Sequence, residues 1–185
     1  MRKHCILLVA GIALLGALPP QKAQADTQGE RQMEITSKAF SQGGTIPSRH
    51  TCDGEDVSPP IAWKGVPEGT RSIALICEDP DAPMGTFVHW VYYDIPPSTE
   101  GLPEGIPGDK RPEAGGVQGI NDFPAIGYGG PCPPSGVHRY FFRVYAVDTE
   151  LELPPGSTVK EVMGAMDGHM LGMGELMGRY QRRGR

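Results

Sequence analysis

Hydrophobic residues along the chain come in short bursts fenced by Pro, Gly and Asp, the spacing of strands rather than of long helices. Residues 33–36 (Met-Glu-Ile-Thr) read as a first short strand and Ile61-Ala62-Trp63 as a second. Residues 72–78 form a nearly continuous apolar stretch. Residues 87–95 are apolar or aromatic on both alternating faces, as expected of a central strand buried on both sides. His89 therefore lies in an otherwise apolar segment. In residues 137–148, alternation places His138, Tyr140 and Phe142 on one face and Arg139, Phe141 and Arg143 on the other. Between Glu100 and Gly136 the chain is rich in Gly and Pro and nearly without periodicity, and a connection this long inside a compact domain is usually functional. Helical spacing is confined to the C-terminal region. There Val159, Val162, Met163, Met166, Met170 and Leu171 recur at three- and four-residue steps after Ser157 and Thr158. Gly164, Gly168, Gly172 and Gly174 weaken this predicted helix, and a break near 172–174 would divide it into two pieces. Its methionine-rich face is read as packing on the sheet.

Composition narrows the picture. The 185 residues suit one compact domain. The 26 glycines and 19 prolines, nearly a quarter of the chain, disfavour a helical bundle and leave a mainly β fold. At the N-terminus, Arg2, Lys3 and His4 precede an apolar run from Cys5 to Leu18, and Ala23-Gln24-Ala25 offers a small-x-small cleavage site. Residues 1–25 are accordingly read as a secretory signal peptide, 26–32 as a flexible tail and 33–185 as the single domain. The apolar run is shorter than the roughly 20 residues that cross a bilayer, so no stable membrane span is expected and the destination is periplasmic or secreted. Cleavage would remove Arg2, Lys3 and Lys22 and no acids, moving the formal charge from −5 to −8. That surplus argues against nucleic acid and anionic membrane surfaces as bulk partners.

Export changes how cysteine is read. Cys52, Cys77 and Cys132 remain after cleavage, so at most one intramolecular bond can form. Cys77 ends an apolar strand and reads as a small buried hydrophobe. Cys52 and Cys132 both sit among turn residues, and a bridge, if formed, is expected between them. No CxxC or Cys/His spacing suggests zinc, and no cofactor is expected.

Two segments carry candidate chemistry: Asp79-Pro80-Asp81-Ala82-Pro83 followed by His89-Trp90, and residues 129–140, from Gly129-Gly130-Pro131-Cys132-Pro133-Pro134 to His138-Arg139-Tyr140. In order and content they resemble the two signature segments of the phosphatidylethanolamine-binding protein family, also called Raf kinase inhibitor-like proteins, in its bacterial branch. Gly43-Gly44-x-Ile46-Pro47, the stretch from Asp53-Gly54 through Ser58-Pro59-Pro60 to Trp63, Gly119 to Asn121-Asp122, Gly168-His169, and Gly178-x-Tyr180-x-Arg182 extend the resemblance over roughly Met33 to Arg182. It implies a β-sandwich with a few flanking helices and a small anion pocket at one end of the sheet. Carried over residue by residue, that pocket comprises Asp79, Pro83, His89, Pro133, His138 and Tyr140. Cys132 departs from the glycine common in animal members and bears on the size of the mouth.

The residue types suit the implied task. Two imidazoles and a tyrosine hydroxyl can donate to phosphate oxygens. Asp79 repels a phosphate dianion, so its expected task is to accept from an imidazole N–H, fixing the tautomer and favouring the charged ring, or to hold an ammonium group. Outside the set, Trp63 and Trp90 are read as core fillers, His50 as a surface loop residue and His169 as structural. Asp81 is read as a turn cap, a loop brace or a ligand contact, and Arg139 as a member of a structural ion pair. The expected function is a non-enzymatic binding protein for a phosphorylated or anionic small molecule or lipid headgroup. The alternative is a protein-level inhibitor of a protease or kinase acting on a protein target. A hydrolase ranks third: Asp79 with His89 could mimic two triad members, but no nucleophile-elbow serine is present and Ser135 sits in a proline-rich turn.

Overall fold

The structure, a computed structural model, describes residues 31–182. The expected signal peptide and residues 26–30 of the tail lie outside the described residues. Nine strands and one α-helix follow in order: β1 (Arg31–Gln32), β2 (Glu34–Thr36), β3 (Ile61–Lys64), β4 (Ser72–Asp79), β5 (Phe87–Ile95), β6 (Gly101–Leu102), β7 (Val117–Gln118), β8 (His138–Val147), α1 (Val159–Met166) and β9 (Met170–Tyr180). They form a six-stranded sheet, β1-β9-β8-β4-β5-β7, and a three-stranded sheet, β2-β3-β6. All pairings are antiparallel except β1 with β9. The fold is the mainly β architecture expected.

Period-two alternation sorts the central strands into two cores. Ile73, Leu75 and Cys77 of β4, with Trp90, Tyr92, Phe142 and Val144, meet Ile35, Ile61, Trp63 and Leu102 of the small sheet. From the opposite face, Ala74, Ile76, Val91, Tyr93 and Val147 meet Val162 and Met166 of α1. Both tryptophans fill the first core. Their indole N–H groups donate to the Thr99 carbonyl at 2.7 Å and to Gln118 Oε1 at 2.7 Å, so neither is a buried polar group without a partner. Cys77 is buried and unpaired, as read from its strand position, and burial pushes its thiol well above the ordinary range.

Three expectations are corrected. The helix begins where predicted, with a reciprocal capping box between Thr158 and Glu161, but it ends at Met166. The second predicted helical piece is instead the long strand β9. Its buried positions are Gly172, Gly174, Leu176, Gly178 and Tyr180, an alternation that the three- and four-residue methionine spacing concealed. A Cβ on Gly174 would overlap the Met33 carbonyl oxygen, and one on Gly178 would come within 2.5 Å of Ile46 Cγ1, so glycine here lets the segments carrying Met33 and Ile46 pack directly on β9. Secondly, Arg31 and Gln32, assigned to the flexible tail, pair with Gly172 and Met173 of that strand. Thirdly, His50 is buried rather than superficial: it ends a short 3-10 turn (Ser48–His50), and its Nδ1–H donates to the Val57 carbonyl at 2.9 Å.

Candidate functional site

β4 ends where β5 and β8 begin, so one end of the large sheet gathers loop 80–86, the first residues of β5 and β8, and the long loop 119–137. Together they enclose a cavity of about 670 Å³. Asp79, Pro83, His89, Pro133, His138 and Tyr140, the six residues singled out in the sequence, all line it. So do Phe87, Asp122 and Phe123, to which the sequence reading gave no site role.

His138 is the first residue of β8, and its buried Nδ1 lies 2.7 Å from Asp79 Oδ2. An ionised carboxylate only accepts, so Nδ1 carries the hydrogen and Nε2 is the ring nitrogen left for a ligand. The other oxygen of Asp79 accepts from the Asp81 backbone N–H at 2.8 Å and caps the turn out of β4. Asp79 thus pairs with His138, not with His89 as the triad comparison had it.

His89 reaches the cavity through an irregularity in pairing. Cys77 faces Trp90 and Glu78 faces Val88, leaving His89 as the extra residue of a β-bulge. Val88 joins the helix-side core and Trp90 the inter-sheet core, with His89 turned between them towards the pocket. Its Nδ1–H donates to the Gly129 carbonyl at 2.6 Å. Burial holds its pKa below the ordinary histidine value, against weaker opposing effects of that carbonyl and of Asp79. The ring is consequently neutral near neutral pH, with an acceptor lone pair on Nε2. It meets Tyr140 at 5.1 Å and Phe123 at 5.4 Å between ring centroids, both edge to face. Burial, reinforced by the Asp79 charge, raises the Tyr140 pKa far above the usual phenol, so its hydroxyl stays a donor.

The long aperiodic loop is shaped by polar side chains. Buried Asn121 accepts from the Phe123 and Ala125 backbone N–H groups at 3.0 and 3.1 Å and donates to the Gly127 carbonyl at 2.9 Å. Asp122 Oδ2 accepts from the Val88 N–H at 2.7 Å, and the Gly129 N–H donates to the His89 carbonyl at 2.9 Å, so the loop is stitched to β5. Further along, Gly130 donates to Asp56 Oδ1 at 2.8 Å, and a Cβ there would come within 2.5 Å of the His50 carbonyl oxygen. Cys132 lines the cavity and is disulfide-bonded to Cys52. Asp81 is a brace: it binds the Arg139 guanidinium through both oxygens, at 2.8 and 2.6 Å, and that contact lowers its pKa to about 2. This is the structural ion pair expected of Arg139. His169, read as structural, makes an exposed pair with Asp148 at 2.7 Å. Among the described residues no group of three or more His, Cys, Asp or Glu could hold a metal ion.

The Tyr140 hydroxyl is hydrogen-bonded to Asp79, and the two Nε2 atoms are left facing the cavity. Each Nε2 donates only if its ring takes up a proton, and otherwise accepts from a P–OH or an ammonium group.

Known proteins share this fold and much of this sequence. A family model described as phosphatidylethanolamine-binding protein matches residues 36–181. A UPF0098 protein of Methanothermobacter thermautotrophicus is 55% identical over 150 residues, which cover 81% of this chain and 99% of the relative. One from Aquifex aeolicus is 54% identical over 154 residues, covering 81% and 89%. Among solved structures, a putative phosphatidylethanolamine-binding protein homolog from Chlamydia trachomatis superposes with a TM-score of 0.75 at 40% identity, covering 82% of this chain and 99% of its own. YbcL of E. coli, described as a new member of the mammalian PEBP family, gives a TM-score of 0.75 at 34% identity with the same coverage.

Proposed function

The chain belongs to the phosphatidylethanolamine-binding protein family, and from that premise we propose that it is a non-enzymatic binding protein whose pocket takes a phosphate-type group, free or as a phospholipid headgroup. The observation that carries this reading is the convergence of His89 and His138, from two strands and opposite walls, on one cavity with Nδ1 of each ring engaged and Nε2 left to face it, beside a Tyr140 hydroxyl hydrogen-bonded to Asp79. Binding is favoured over acyl transfer because Ser135 sits in a proline-rich turn and the sequence carries no nucleophile-elbow motif. A periplasmic or secreted location belongs to the same proposal, supported by the leader pattern and by a disulfide that an oxidising compartment would preserve.

The test is calorimetric titration with inorganic phosphate. His89→Ala and His138→Ala should each weaken binding by about 1.5–3 kcal/mol, the range for hydrogen bonds to charged groups. Affinity should rise as pH falls below the ordinary histidine value, because taking up a proton converts His89 Nε2 from acceptor to donor. Unchanged affinity in both variants would remove the pocket assignment, and wild-type hydrolysis of a phosphoester abolished by either substitution would remove the non-enzymatic one.

A further inference from the structure

Beside the pocket, and sharing His138 with it as a wall, runs a groove lined by Asp81, Ser135, Val137, His138, Arg139 and Arg179. Pro134 lines the pocket and Ser135 the groove, so adjacent residues of one turn border both. The charges of the groove do not balance. Asp81 is engaged by Arg139 through both carboxylate oxygens and Asp79 serves His138, which leaves the guanidinium of Arg179 uncompensated. Other arginines of this sheet have carboxylate partners: Arg143 binds Glu78 and Glu175, and Arg182, just past the end of β9, binds Asp53. Among the described residues Arg179 has neither a side-chain hydrogen bond nor an ion pair, and the Ser135 hydroxyl is also unbonded.

The position of Arg179 makes this arrangement unfavourable rather than neutral. It pairs in register with Arg139 across β8 and β9, and like charges directly opposite each other on an antiparallel pair repel. Its backbone is fixed from the other side as well: the Arg179 N–H donates to the Gly44 carbonyl and the Arg179 carbonyl accepts from the Ile46 N–H, both at 2.8 Å. A cation is thus held opposite a second cation, beside a ligand cavity, in a chain whose formal charge is −5. An anion in the groove would relieve that repulsion, and a guanidinium fork with a neighbouring hydroxyl is a donor set suited to a phosphate or carboxylate. We propose that Arg179 and Ser135 form a second anion subsite, so that the ligand bears two anionic groups, one in the pocket and one reaching past His138 into the groove. The proposal rests on the phosphate-type reading of the pocket and adds to it a ligand class, a small molecule acidic at two points a few bonds apart. The closeness of the two points follows from the shared wall, since His138 lines both cavities. A ligand with a single phosphate and no second acidic group leaves Arg179 without a counter-charge.

The test is calorimetric titration with two probes, propanediol monophosphate and propanediol bisphosphate, the second phosphorylated at both ends of its three-carbon chain. The wild type should bind the bisphosphate more tightly by about tenfold or more, the increment of one hydrogen bond to a charged group. Arg179→Gln should remove that preference, and Arg179→Lys, which keeps the charge but loses the fork, should retain part of it. The Arg179 side chain is exposed and its backbone bonds do not depend on it, so both variants should unfold thermally as the wild type does. Binding of neither probe, equal affinity for the two, or a preference that survives Arg179→Gln would overturn the proposal. Equal affinities that are both weakened by His89→Ala would do so while leaving the reading of the pocket in place. An Arg179-dependent preference for the bisphosphate, with neither probe weakened by His89→Ala or His138→Ala, would uphold the groove subsite and instead remove the reading of the pocket.

Discussion

The two walls of the pocket hold the same residue type in opposite settings. On the β5 wall, His89 is turned inward by a bulge, bonded to a backbone carbonyl and surrounded by Phe87, Phe123 and Tyr140, so burial keeps it neutral. On the β8 wall, His138 faces a carboxylate, Arg139 beside it grips Asp81, and Cys132 is tied covalently to Cys52. One wall is assembled from backbone hydrogen bonds and aromatic edges, the other from ionic and covalent crosslinks. Two histidines in a family signature thus sit in unequal surroundings, one bonded to a backbone carbonyl and the other to a carboxylate.

The largest test of the contrast is removal of the covalent tie. Cys52 and Cys132 are 80 residues apart, and closing a loop of that length restricts the unfolded chain by about 4 kcal/mol in the entropic model. Cys52→Ser with Cys132→Ser should lower the unfolding free energy by about that amount, read from denaturant titration. Native-state hydrogen exchange should accelerate at residues 130–137 and 50–56, while the Val88 and Gly129 amides, held by Asp122 and by the His89 carbonyl, stay protected. Equal acceleration on both walls would show that the disulfide holds the whole pocket and that the contrast fails.

How far the sequence made this site legible follows the same division. Alternation placed His138 and Tyr140 on one face of their strand, the resemblance supplied Asp79 and the pocket, and the turn residues around Cys52 and Cys132 allowed a bridge without requiring it. The position of His89 on its strand was readable, but its direction was not, since the bulge that re-aims it depends on pairing with β4. Asn121 and Asp122 were noticed only as part of a resemblance, and Phe123 was not singled out. Their signal, side chains that bond their own backbone in a turn, is local and says nothing of the cavity the turn will border. The C-terminal strand was misread because five methionines at helical steps outweighed glycines at even positions. Only the neighbours that those glycines admit, Met33 and Ile46, reveal the period of two.

The second test uses pH. Burial lowers the folded-state pKa of His89, so between that value and the unfolded value near 6.5 the unfolded chain binds more protons than the native one. Its contribution to stability is fully present above about pH 6.5 and is lost as pH falls through the folded pKa. His89→Gln, which can still donate to the Gly129 carbonyl, should flatten the pH dependence of the unfolding midpoint in that acid window relative to the wild type. A slope unaltered by the substitution would place the titrating group elsewhere and remove the neutral-wall description.

The smallest effect is expected at the exposed ion pair of the other wall. Arg139 lowers the Asp81 pKa to about 2, chiefly through the side-chain hydrogen bonds, so in Arg139→Ala the Asp81 carboxyl should titrate nearer the ordinary value of about 3.9. A carboxylate with a depressed folded pKa supports stability above its unfolded pKa and loses that support as pH falls through the folded one, so the wild type should show extra acid sensitivity between about pH 4 and 2. In the variant that component should disappear, with little change in stability at pH 7 because the pair is exposed to solvent. Carboxyl-detected NMR titration reads the pKa directly. An Asp81 that still titrates near 2 without Arg139 would mean that its low pKa comes from another neighbour, such as His138, and would join the ionic and imidazole parts of this wall into one unit.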